Sequence, residues 1–217
     1  MGVEHYRELF AYDAWANRRV WDCLEPLSDE QFTRDLGYSV GSLRTQTVHT
    51  MANQSFWIHF LTTGEVRHLD YADFPSRPVI RAAWDQVERD THAYLDTMMS
   101  GELERTVLPG HWAARSRAPF TVRQGLSQLI NHNTDHRAQT LAGIDRLGGE
   151  TIAQDYLFFV WEAASGHANT NTVPSHGTVF AAGTASALGP ASVRIDPSAV
   201  QAEGGDMSGP GGGGLGG

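Results

Sequence analysis

The stretch TVRQGLSQLINHNTDHRAQTLAGIDRL, residues 121–147, decides how the chain folds. At about 100° per residue, Val122, Leu126, Leu129, Asn133, Thr140, Ile144 and Leu147 gather on one side, the period of an amphipathic helix. Thr121 stands at the N-cap position, and Gly148-Gly149 ends the pattern, as a helix stop should. His132 and His136 fall on the flank of the stripe, one turn apart. Imidazoles at i and i+4 can converge on one ion. The residue after His132 is Asn133, so this is not the HExxH of zinc proteases, whose glutamate is the base.

The rest of the chain reads as partners for this helix. Tyr6, Phe10, Ala14, Trp21 and Leu24 recur at helical spacing between Val3 and Leu24, and Pro26 ends that run. Ser28-Asp29-Glu30-Gln31 has the capping-box pattern of a short helical turn. Ser42 predicts the N-cap of a second long helix that runs to Thr63 and stops at Gly64. A third spans Pro78 to Met99, with Ser76 near its cap and Gly101 beyond it. Residues 102–120 read as loop or short extended pieces. Within residues 150–163, Tyr156-Leu157-Phe158-Phe159-Val160-Trp161 reads as a short apolar helix. Four long helices with no alternating β pattern predict an all-α four-helix bundle.

On the second helix Val48, Ala52, Ser55, Phe56, His59 and Phe60 share a face, and His49 lies between Phe56 and Phe60 on the wheel. His49, His132 and His136 therefore point inward from two helices. Bundle cores build metal sites this way, but a core histidine bonded to a carbonyl has the same spacing. Spacing alone leaves both readings open.

Composition narrows the function. All 16 basic residues among the 217 are Arg, which excludes a Schiff-base lysine and a Walker A loop. The single cysteine, Cys23, excludes an internal disulfide, a CxxC pair and cysteine-rich zinc modules, and fits a reducing cytoplasm. The formal charge of −9 with no basic block argues against a nucleic-acid partner. No apolar run is long enough to cross a membrane, and no signal peptide is visible. Near Ala164 the composition shifts: residues 165–217 hold 13 of the 23 glycines and a single aromatic, Phe180. We expect a domain over 1–164 and a disordered Gly-rich tail over 165–217, with a short strand around Thr178–Phe180.

Four segments resemble one family. Leu9-Phe10-Ala11-Tyr12-Asp13-Ala14-Trp15-Ala16-Asn17-Arg18-Arg19 is similar to the first helix of DinB-like (DNA-damage-inducible, YfiT-type) proteins. Gly41-Ser42-Leu43-Arg44, then Val48-His49 and Phe56-Trp57, resemble its second helix. His132 and His136 followed by Arg137-Ala138-Gln139 resemble its histidine-pair signature, with Ala138 where glycine is commoner. Asp155-Tyr156-Leu157-Phe158-Phe159-Val160-Trp161-Glu162 resembles its closing segment. The resemblance covers residues 3–163. It implies a four-helix bundle, often dimeric, that holds a divalent metal on His49, His132 and His136.

Three imidazoles suit zinc or nickel and leave an open position, where a water or a thiol can ionise near neutral pH. The expected function is metal-dependent hydrolysis or thiol transfer on a small molecule. Its rival is a non-catalytic, ligand-binding stress-response protein. We expect a symmetric homodimer formed through apolar helix faces, with Trp15 and Trp21 on different faces of the first helix. No general base is assigned. Asp135 reads as a solvated charge or a partner behind the histidines. Gly37-Tyr38-Ser39-Val40-Gly41 fits the GxSxG pattern, but a polar segment precedes it where a nucleophile elbow needs a strand. His59 reads as core filler, and His5, His68, His92 and His111 as surface or loop residues. His167 and His176 fall in the tail. Trp15, Trp21, Trp84 and Cys23 read as core, while Tyr12, Trp57 and Trp112 are candidates to line a pocket.

Overall fold

The computed structural model describes residues 2–99, 101–114 and 118–165. The expected tail beyond Ser165, with its strand and with His167 and His176, lies outside the described residues. Helix α1 spans Val3–Leu24 and the short α2 Asp29–Thr33; α3 spans Leu43–Thr63 and α4 Arg77–Thr97. The one-turn α5 (Gly110–Ala113) sits between two-residue strands, β1 (Thr106–Val107) and β2 (Phe120–Thr121), before α6 (Val122–Arg146) and α7 (Tyr156–Ala164). The strands pair antiparallel, Thr106 with Thr121 and Val107 with Phe120. Helices α1, α3, α4 and α6 close a ring, α1 packing on α6 and α4, and α3 packing on the same two. This is the expected all-α bundle.

The helix ends obey the capping chemistry. Ser42 Oγ accepts from Thr45 N at 3.1 Å, and Ser28 and Thr121 each close a full capping box. Gly64 ends α3 at φ 78, a left-handed conformation that costs glycine little. Helix α4 stops two residues before the expected Met99, because Met98 turns out of the helix at ψ 124 and buries its side chain in the core. Helix α7 forms where expected, but none of its residues is fully buried.

The core divides into two apolar clusters. One gathers Tyr6, Phe10, Phe56, Phe60, Leu95 and Leu126; the other gathers Val20, Leu24, Leu43, Met51, Ile80 and Ile144. Trp15, Trp21 and Trp84 are buried, as expected. Between the clusters lies a buried polar layer with members from all four long helices: Asp13 and Asn17, Gln54, Thr91, and Asn133 and Arg137. The three histidines stand beside this layer, on α3 and α6.

Candidate metal centre

Helices α3 and α6 run in opposite senses along their contact. Leu43 lies against Gly143 and Trp57 against Gly125, while Gln46 touches His136. That alignment brings His49 opposite the His132–His136 pair. One ring nitrogen from each of the three lies within 4.8 Å of the others, and among the described residues this is the one His/Cys/Asp/Glu group so arranged. His132 Nε2 and His49 Nε2 are 3.2 Å apart. Two nitrogens bound to one tetrahedral zinc at about 2.0–2.1 Å would be about 3.3 Å apart, so the pair already stands at ligand spacing.

The outer ring nitrogens decide which atoms face that shared space. Tyr71 Oη lies 2.8 Å from His49 Nδ1, and the side-chain amide of Gln46 lies 2.6 Å from His136 Nδ1. Each contact occupies Nδ1 and leaves Nε2 toward the centre. His132 Nδ1 is buried with no partner, so in that ring only Nε2 has a neighbour to bind. Gln46 also donates to Gln139 Oε1 at 2.9 Å, and Gln139 Nε2 donates to Asp135 Oδ2 at 2.8 Å. Asp135 itself is exposed. It reaches the histidines through this amide chain and by its charge.

Burial keeps all three rings neutral. It pushes the pKa of His132 down to about 4, helped by the neighbouring His136 and His49. Burial, then His136, lowers His49. Burial lowers His136 against the opposing pull of Asp135. Neutral imidazoles are the form that ligates a cation. Buried donors, correct spacing and neutral rings make the set fit a divalent ion.

The polar layer braces the site from behind. Arg137, one residue past His136, pairs with Asp13, and the two side chains are only 4% and 3% exposed. Asn133, next to His132, donates to Asp13 Oδ2 at 2.9 Å and to Gln54 Oε1 at 2.8 Å. These contacts fix the rotation of α6 and with it the direction of its histidines.

Other sequence expectations fare unevenly. His59 is half-buried in the wall of a cleft between α3 and α4, with Ser55 and Asp90, and is not in the core. Its position on α3 turns it toward α4 and away from His49. His68 and His111 are exposed, as expected, but His5 and His92 are half-buried on α1 and α4. Ser39 follows a helix and not a strand, and its hydroxyl donates to Gln46 Oε1 at 3.2 Å and to Gln139. This is no nucleophile elbow. Cys23 is half-buried, and burial together with Asp22 pushes its thiol up. Tyr71, Gln46 and the role of Asp13 escape the sequence reading. Gln46 stands one turn before His49 on α3 and was within reach of a helical-spacing search. Tyr71 opens a single 3-10 turn, Tyr71–Asp73, in the connection between α3 and α4, and nothing local marks it.

The DinB family model matches residues 1–171 of the chain. No curated protein matches it.

Proposed function

The chain belongs to the DinB family, and we propose that His49, His132 and His136 hold a zinc or nickel ion through their Nε2 atoms. The observation that carries this reading is the 3.2 Å approach of His132 Nε2 to His49 Nε2, with Nδ1 of His49 and of His136 turned to Tyr71 and Gln46. A divalent ion there would supply a Lewis acid with an open position, able to ionise a small acidic group near neutral pH. The chain's own residues keep the rings neutral, fix their orientation and exclude water behind them. The reaction this favours is hydrolysis or thiol transfer on a small molecule, in a cytoplasmic homodimer with no nucleic-acid partner. Among the described residues no helix is long and apolar enough to cross a membrane.

The second reading is a stress-response protein that binds its ligand without turning it over. It draws on the lack, among the described residues, of any carboxylate within hydrogen-bond reach of the three rings: Asp135 is tied to Gln139, and Asp13 to Arg137 and Asn133. Ester and thiol-acceptor panels, run with and without chelator, separate the two. Turnover that chelator abolishes and added metal restores supports the enzyme. Metal-replete protein that turns over no ester or thiol acceptor supports the binder.

A further inference from the structure

One to two turns from the histidines, α3 and α6 border a cleft of about 390 Å³. Its place follows from helical spacing. Asn53 stands four residues beyond His49 on α3, and Gln128 four residues before His132 on α6. At about 1.5 Å of rise per residue, the cleft begins about 6 Å along the bundle from the rings. Trp57, Trp112 and Phe120 form one continuous wall. Their centroids are 5.7 Å apart for Trp57 and Trp112, 5.5 Å for Trp57 and Phe120, and 5.8 Å for Trp112 and Phe120. Gly125 forms the floor. A Cβ there would come within 3.1 Å of the Trp57 ring and 3.4 Å of the Phe120 ring, so any side chain would push into the wall and fill the space.

The polar groups of the lining are neutral. Asn53, Gln124 and Gln128 supply amides, and among the described residues no lining residue is ionisable. A carboxylate or phosphate entering the cleft would lose water and meet no cation among the described lining residues. The rings touch one another and so present a wall, not separate faces arranged round a point as a cation cage requires.

We propose that this cleft takes the uncharged, planar aryl end of a ligand. The reacting end of that ligand extends to the three histidines. Only this last placement rests on the metal-centre reading. The cleft is small, near the lower bound for ligand pockets, and fits one or two rings.

The test is saturation-transfer NMR with benzamide, benzoate and tetramethylammonium, on the full chain as purified and after chelation. Benzamide should bind saturably in both states, and benzoate about tenfold more weakly or worse, because its charge is desolvated unpaired. Trp112→Ala, at a half-buried position, should weaken benzamide about fivefold or more by removing part of the wall, and Gly125→Leu should abolish binding. Failure of benzamide to bind wild type overturns the proposal. So does equal or tighter binding of benzoate or tetramethylammonium, or unchanged binding in Trp112→Ala. Because the chelated protein is titrated too, loss of the metal-centre reading and loss of this one are seen separately.

Discussion

His132 and Asn133 are neighbours on α6. Asn133 is fully buried and its amide nitrogen donates to Asp13 and Gln54, while its Oδ1 has no partner; His132 likewise keeps a buried Nδ1 that nothing satisfies. The ring accepts that position only when neutral, which is why its pKa falls to about 4. The sign of the resulting pH dependence follows. In the unfolded chain the ring takes up a proton near its ordinary 6.5, while the folded protein resists until about 4. Below 6.5 the unfolded state therefore binds more protons, and stability falls as pH drops, with no further loss from this group below about 4. His49 and His136 shift in the same direction, so the contribution of His132 is read as a difference. Metal-free wild type should lose more stability between pH 7 and pH 5 than metal-free His132→Gln, measured as urea midpoints. Equal losses would show that burial of this ring is not what holds it neutral.

At the scale of elements, the polar layer sets how α1 and α6 meet. Tyr6, Phe10, Val20 and Leu24 form the buried stripe of α1, and Asp13 and Asn17 occupy its middle positions. On α6 Asn133 and Arg137 interrupt the stripe in the same way. Removing one partner of a buried ion pair leaves an uncompensated charge, at a cost of about 3–5 kcal/mol. Asp13→Ala should destabilise the fold by that amount in chemical unfolding and lower metal affinity, although Asp13 touches no histidine. A loss below about 1 kcal/mol, the value of an exposed pair, would contradict the brace. The same residues show what a sequence can disclose. The bounds of α1 and α3 and the caps at Ser42 and Thr121 were legible because local chemistry specifies them. The inward histidines were legible because helical spacing alone turns them to the core. Asp13 and Asn133 each interrupt an apolar stripe, but the bond between them spans 120 residues and no local rule names such a pair. Tyr71 was illegible for the same reason: the connection between α3 and α4, with its 3-10 turn, carries it to His49 across a gap that only the tertiary fold closes.

The whole molecule leaves apolar surface where the sequence did not place it. The expected association through apolar helix faces drew on Trp15 and Trp21 lying on different faces of α1, and both are core residues, 7% and 4% exposed. The large apolar exposure lies instead on α7, where Leu157, Phe158 and Trp161 are 56%, 40% and 59% exposed. Helix α7 is held to α1 by Glu162, which accepts from Arg19 at 2.8 Å and from Trp15 Nε1 at 3.1 Å, so its outer face is presented rigidly. A homodimer through this face should sediment as such at tens of micromolar, roughly where obligate dimers are assayed. Leu157→Glu with Trp161→Glu should convert it to monomer without loss of helix content. A wild-type monomer, or a dimer indifferent to both changes, would count against the face. The central claim concerns the ion, and elemental analysis after expression with zinc and nickel supplied tests it most directly. Wild type and His59→Ala should carry close to one ion per chain, and His49→Ala, His132→Ala and His136→Ala should each lose most of it. Wild type that carries none, or His49→Ala that keeps a full complement, would contradict a three-histidine centre and leave the rings as core residues of a helical bundle.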